Sequence, residues 1–123
     1  MLRIVGLQRN DFADQEFILL QNQGSMRVAL KGHVLMSETA IEQGDMCDAS
    51  HAFPDDVTIP PGVYVLLVTG QGEPRWTRTK DGASVYYTYM NKRWAIWRDC
   101  KLPLHVLNTQ HTYEERGERL LLK

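Results

Sequence analysis

The sequence has 123 residues, of which 43% are hydrophobic and 24% are charged, and its formal net charge is −1. These values are typical of one globular domain with a single core, and they exclude a globally basic nucleic-acid binder while leaving local charged patches open. No apolar run approaches the roughly 20 residues that a membrane-spanning helix needs, and the N-terminus has no signal-peptide core. Taking the chain as given, we expect a soluble, cytoplasmic protein.

Short apolar runs separated by turn-forming residues predict four β-strands in the first third of the chain, at residues 2–7, 16–21, 28–30 and 34–36. Asn22-Gln23-Gly24 follows the second run and predicts a turn, whose Gly tolerates a positive φ. Residues 37–56 contain six acidic residues and no Lys or Arg. This composition predicts a long solvated loop with a helical turn or two at most.

The rest of the chain predicts five more strands, at residues 57–59, 63–69, 84–89, 104–108 and 119–122. Residues 63–69 (VYVLLVT) are almost continuously apolar, which indicates a central strand. Pro60-Pro61-Gly62 precedes them and predicts a tight turn, in which Pro presets φ and Gly accepts a backbone conformation that other residues avoid. Many short strands and no long helical period favour an all-β sandwich or barrel.

The two cysteines, Cys47 and Cys100, flank Trp76 as the disulfide cysteines of immunoglobulin domains flank a tryptophan. However, Cys47 lies in a polar stretch, and Arg98 stands where those domains have a tyrosine. We therefore predict two free thiols, as in a reducing compartment.

The sequence does not predict a metal site or a catalytic site. Asp45, Cys47, Asp48 and His51 lie within seven residues, but a structural zinc site needs four ligands, usually in paired short spacings. The chain carries no nucleophile elbow, phosphate-binding loop or zinc-protease motif. We predict a protein without a cofactor that is not an enzyme.

Three stretches carry a resemblance to a known family. EFILLQNQGSMRVALKGHVL (16–35) combines a strand, an Asn-x-Gly turn, an alternating strand and a Gly bend, and FPDDVTIPPGVYVLLVTG (53–70) combines a Phe-Pro step, a Pro-Gly turn and an apolar strand. These stretches, with Trp97-Arg98-Asp99 and LHVLN (104–108), resemble the lamin-tail domain family over roughly residues 4–110.

The resemblance implies one immunoglobulin-like antiparallel β-sandwich over residues 1–123 and a non-catalytic interaction module of the bacterial type. His33 departs from the family pattern, which commonly has an aromatic residue there. Residues 73–96 look like an insertion, as a hairpin or a loop.

The aromatic residues and the positive charge are concentrated in residues 75–101. This segment holds all three tryptophans and seven Lys or Arg against two Asp, a net charge of +5, whereas the remaining chain carries −6. Three interpretations stay open: core aromatics with solvated charges, a protein-binding face rich in Trp, Tyr and Arg, or a platform for nucleic acid or glycan. In the strand at 84–89, Tyr87 and Tyr89 share one face, and Tyr86 and Thr88 share the other.

We predict that this segment binds a protein, with nucleic-acid binding as the alternative. The candidate binding surface consists of Arg75, Trp76, Arg78, Lys80, Tyr86, Lys92, Arg93, Trp94, Trp97 and Arg98. Because the segment is basic and residues 37–56 are acidic, a further hypothesis is a homo-oligomer in which the two regions of different copies meet.

Overall fold

A computed structural model of the protein describes residues 1–43, 49–98, 100 and 103–109. These residues form ten strands, one short helix and a 3-10 turn at Ala13–Gln15. The strands are β1 (Leu2–Gln8), β2 (Phe17–Asn22), β3 (Val28–Ala29), β4 (His33–Ser37), β5 (Ser50–Ala52), β6 (Thr58–Ile59), β7 (Tyr64–Val68), β8 (Arg75–Arg78), β9 (Ser84–Tyr89) and β10 (Leu104–Asn108). The helix α1 spans Glu38–Gln43. The all-β class predicted from the sequence is confirmed.

The strands form three sheets. The largest has the order β1-β2-β7-β9-β8, and the smaller ones are β10-β4-β5 and β3-β6. All pairs are antiparallel except β7 and β9, which run parallel from Tyr64↔Val85 to Val68↔Tyr89. The sequence predicted a mostly antiparallel arrangement, and this parallel pair is the exception among the described strands. The chain leaves β7, forms β8 at the edge of the sheet, and returns as β9 in the direction of β7.

One hydrophobic core draws on all three sheets. Side chains alternate along β2 and β7, so that Ile18, Leu20, Val65 and Leu67 point inward and are fully buried. The core consists of Leu2, Ile18, Leu20, Leu30, Leu35, Phe53, Ile59, Val65, Leu67, Tyr86, Met90 and Trp97. Burial of each large aliphatic side chain contributes roughly 1.5–3 kcal/mol. The prediction that β7 is a central strand is confirmed, since it lies between β2 and β9.

The structure requires glycine at two positions before β7, for a different reason at each. Gly62 has φ 81, and the Val63 N–H donates to the carbonyl oxygen of Pro60 at 3.2 Å, which confirms the predicted Pro-Pro-Gly turn. Gly24, which closes the predicted turn after β2, does not adopt a positive φ. A Cβ atom at Gly24 would lie 2.6 Å from the backbone nitrogen of Met1, and this close approach is what requires glycine.

The hydrogen bonds of the Asn22 side chain explain why β2 ends in an asparagine. Its side chain is fully buried, and its Nδ2 donates to the carbonyl oxygens of Met26 and Ile59, both at 2.9 Å. Its Oδ1 accepts from the Gly24 N–H at 3.0 Å and from the Met1 ammonium at 2.9 Å. A single buried amide thus connects β1, β6 and the turn after β2.

Two strands were not predicted. Residues 37–56 were expected to form one long loop, but β5 lies within them and pairs with β4 from Val34↔Ala52 to Met36↔Ser50. The other missed strand, β8, pairs with β9 as an antiparallel hairpin within residues 73–96. Both strands are short, and pairing with a neighbouring strand stabilises each of them. The strand predicted at residues 119–122 lies outside the described residues.

The short helix α1 agrees with the expectation of a helical turn or two near residue 40. Among the described residues, no helix combines the length and the apolar character needed to cross a membrane.

Candidate interaction surface

The structure places eight of the ten predicted surface residues at the protein surface. We call these residues the aromatic-basic surface: Arg75, Trp76, Arg78, Lys80, Lys92, Arg93, Trp94 and Arg98. The prediction is wrong for the other two, because Trp97 is fully buried and Tyr86 is only 5% exposed.

Trp97 is held in the core by Glu16, which is itself fully buried. Glu16 Oε1 accepts hydrogen bonds from the backbone N–H groups of Ile96 and Trp97, both at 3.0 Å, and from the Thr69 hydroxyl at 2.8 Å. One carboxylate thus fixes the segment before Arg98 against the end of β7. The sequence motif at residues 16–35 begins with this Glu16, but its partners are 53 to 81 residues away and only the fold reveals them.

Tyr86 is held inside by Asp55. The Tyr86 hydroxyl and the Thr88 hydroxyl both donate to Asp55 Oδ2 at 2.8 Å, which confirms that Tyr86 and Thr88 share the inner face of β9. Burial and the bond to Asp55 raise the pKa of Tyr86 to about 12. Asp55 was expected in a solvated acidic loop, but its carboxylate serves this internal contact instead.

His51 lies near this polar cluster, on β5. Its ring packs edge to face against Phe53, with ring centroids 4.9 Å apart. Burial lowers the pKa of His51, Lys92 lowers it further, and Asp55 opposes the effect.

The predictions for metal and thiols concern residues only partly described. No group of three or more His, Cys, Asp or Glu that could hold a metal occurs among residues 1–43, 49–98, 100 and 103–109. Asp45, Cys47 and Asp48 lie outside these ranges, so the predicted absence of a zinc site and the predicted thiol at Cys47 stay predictions.

Arg75 and Trp76 project from opposite faces of β8. The Arg75 guanidinium lies 4.5 Å from the ring centroid of Tyr87, and its Nη1 donates to the Tyr89 hydroxyl at 2.6 Å. The Trp76 ring packs on the buried Tyr86 with centroids 5.1 Å apart and stays 48% exposed. Trp76 therefore covers the core at the sheet edge and still presents part of its indole to solvent.

The segment after β9 supplies the second half of the surface. The Lys92 N–H donates to the carbonyl oxygen of Thr69 at 3.0 Å, which fixes the segment against the end of β7. Trp94 is 67% exposed. The two residues before it in the chain, Lys92 and Arg93, line a cavity of about 470 Å³ together with Ala13, Asp14, Gly70 and Gln71. Two cationic residues thus line a depression, and the residue that follows them in the chain carries an exposed indole.

The start of β8 and the segment after β9 lie at the same end of the five-stranded sheet, whereas Arg78 lies at the other end, opposite Ser84. The Gly72 N–H donates to Asn91 Oδ1 at 3.1 Å, which joins the segment before β8 to the segment after β9. The bond from Arg75 to Tyr89 links the same two regions. Arg98 lies further along, with its Nη1 4.0 Å from Asp11 Oδ1.

Comparison of the chain with protein families, with curated proteins and with solved structures finds no match.

Proposed function

We propose that the protein is a non-catalytic interaction module that binds another protein through the aromatic-basic surface. The observation that carries this proposal is the exposure of two indoles, Trp76 at 48% and Trp94 at 67%, among exposed Arg and Lys side chains. Tryptophan and arginine are enriched in the residues that dominate binding energy at protein interfaces.

The lamin-tail resemblance supports the same proposal. It implies an immunoglobulin-like sandwich that serves as an accessory binding domain. The all-β architecture agrees with it at the level of fold class, and the function rests on the surface rather than on the fold.

Nucleic-acid binding through the same residues is the alternative to exclude. A phosphate-binding surface would lose affinity steeply with salt, because each neutralised phosphate releases counterions. Protein binding that buries the two indoles at the interface depends less on salt.

The proposal is tested by affinity capture from a lysate of the source organism with the protein immobilised. We expect a defined protein to be retained after nuclease treatment, to be lost with Trp76→Ala/Trp94→Ala, and to be kept with Phe12→Ala/Met26→Ala. Phe12 and Met26 are 65% and 76% exposed and lie outside the surface, so they control for general stickiness. Retention that disappears with nuclease, or that is equal in both variants, would overturn the proposal.

The homo-oligomer hypothesis is a separate proposal. Part of the acidic region, residues 44–48, lies outside the described residues, and Asp55 is already hydrogen-bonded internally. Light scattering at low and high salt tests it, since a contact between basic and acidic regions should dissociate in salt.

A further inference from the structure

The outer edge of β8 is open in the described part of the chain. β8 is the last strand of the five-stranded sheet, and no strand among the described residues pairs with its far side. An edge strand presents unpaired backbone donors and acceptors, and these are a template for one more strand.

The pairing with β9 shows which backbone groups point outward. The Thr79 N–H donates to the carbonyl oxygen of Ala83 at 2.9 Å, and the same register continues through Thr77↔Val85 and Arg75↔Tyr87. Hydrogen-bonded and non-hydrogen-bonded pairs alternate along an antiparallel ladder. Trp76 and Arg78 are therefore the residues whose N–H and C=O groups face away from β9.

The charge of this edge selects the kind of strand that fits. Arg75, Arg78 and Lys80 are exposed along it, against Glu73 and Asp81 at its two ends. A second copy pairing β8 against β8 would place two strands that each carry these cations side by side, and repulsion between like charges would oppose that pairing. A segment carrying carboxylates would instead face them favourably.

We propose that β8 accepts an extended acidic peptide of a partner protein as an additional antiparallel strand, hydrogen-bonded to the backbone of Trp76 and Arg78. This inference rests on the proposed function and names the class of partner. Antiparallel pairing is the more stable arrangement per residue and continues the pairing of β8 with β9.

The alternation of side chains also defines the peptide pattern. Trp76 and Arg78 project from one face of β8, and Arg75 projects from the other. The peptide residue opposite Trp76 is apolar and packs on the exposed part of the indole, while the residues opposite Arg78 and Arg75 are acidic. In the antiparallel direction the peptide therefore reads acidic, any residue, apolar, acidic.

The probe is the blocked hexapeptide acetyl-Thr-Glu-Thr-Val-Glu-Thr-amide, titrated into the protein and followed by amide NMR. Two N-methylated versions form a matched pair. Methyl groups on the first Glu and on Val remove the N–H groups that face β8, and binding should weaken at least about tenfold. Methyl groups on the middle Thr and the second Glu lie on the far edge and should leave affinity within about twofold. Equal affinity of the two versions, or no binding of the parent peptide, would overturn the proposal.

Charge reversals on the protein provide the second arm. Arg75→Glu/Arg78→Glu should weaken peptide binding about tenfold, whereas Arg27→Glu/Lys31→Glu makes the same charge change at two exposed residues outside the aromatic-basic surface and should have little effect. A larger loss of peptide affinity in the control variant than in Arg75→Glu/Arg78→Glu would overturn strand addition at β8 and leave the proposed function intact. Displacement of the peptide by an oligonucleotide of equal charge would point to phosphate binding and contradict the proposal. The methylated peptides use the unaltered protein, so they remain decisive if a charge-reversed variant fails to fold.

Discussion

Glu16 Oε1 lies 3.0 Å from the backbone nitrogen of Trp97, and this hydrogen bond joins the start of β2 to a segment 81 residues later. This contact fixes Trp97, one of the three tryptophans in residues 75–101, in the core. Trp97 is fully buried beside Glu16, whereas Trp76 and Trp94 remain exposed.

Replacement of Glu16 should destabilise the protein strongly. Glu16→Ala leaves the N–H groups of Ile96 and Trp97 and the Thr69 hydroxyl without their acceptor. Each buried unpaired group costs about 1–3 kcal/mol, so we expect the free energy of unfolding to fall by about 3–5 kcal/mol in urea titrations. Glu16→Gln keeps an acceptor oxygen and should cost less.

The matched control for Glu16 is Glu73→Ala. Glu73 is exposed, and exposed substitutions change stability by about 0.5 kcal/mol or less. A loss below about 1 kcal/mol for Glu16→Ala would contradict the role given to this carboxylate.

Asn22→Asp should be more disruptive than its similar size suggests. The substitution replaces the Nδ2 donor by a carboxylate oxygen that faces the carbonyl oxygens of Met26 and Ile59. We expect a loss of about 3 kcal/mol or more in unfolding free energy, because a buried charge then faces two acceptors. Gln23→Glu adds a charge at an exposed neighbouring position and is expected to be nearly neutral. Equal effects of the two substitutions would argue against the buried amide as the link between β1, β6 and the turn.

The protein should lose stability as pH falls below neutral. Burial lowers the pKa of both His33 and His51 from the ordinary 6.5, so the unfolded chain binds protons more readily than the folded one. The contribution of these histidines is therefore fully present above the unfolded pKa and is lost as pH falls from there toward the folded values.

Urea unfolding across this pH range measures the effect of the histidines. The double variant His33→Gln/His51→Gln should show a shallower fall in unfolding free energy than the parent. An unchanged slope, or stability that increases toward acid pH, would contradict the depressed pKa values.

The three tryptophans should respond differently to a soluble quencher. In variants that keep one tryptophan and replace the others by Phe, acrylamide should quench Trp94 most, Trp76 less and Trp97 least, following exposures of 67%, 48% and 0%. Quenching of Trp97 comparable to that of Trp94 would mean that the segment after β9 is not held by Glu16.

The sequence predicts those parts of this fold that depend on local patterns. The central position of β7, the bounds of β9 and β10 and the Pro-Pro-Gly turn all follow from alternation and turn chemistry within a few residues. The parallel pairing of β7 with β9 does not, because it depends on where the chain crosses after β7. β8 has four residues and two cations, so only its pairing with β9 identifies it as a strand.

The candidate surface shows the same division between local and distant information. Composition locates the aromatic and basic residues but cannot sort buried rings from exposed ones. Tyr86 and Trp97 are buried because Asp55 and Glu16, distant along the chain, bind them. Both acidic residues lie in stretches that carry the family resemblance, at residues 16–35 and 53–70. Their hydrogen-bond partners become visible only in the folded protein.

Amide hydrogen exchange at three successive residues of β8 tests the central claim most directly. In the free protein, the N–H groups of Trp76 and Arg78 should exchange fast and that of Thr77 slowly, because only the Thr77 N–H faces β9. Addition of the acidic hexapeptide should slow Trp76 and Arg78 and leave Thr77 unchanged. Protection of Trp76 and Arg78 without the peptide, or no change on its addition, would contradict an open edge that binds a partner strand.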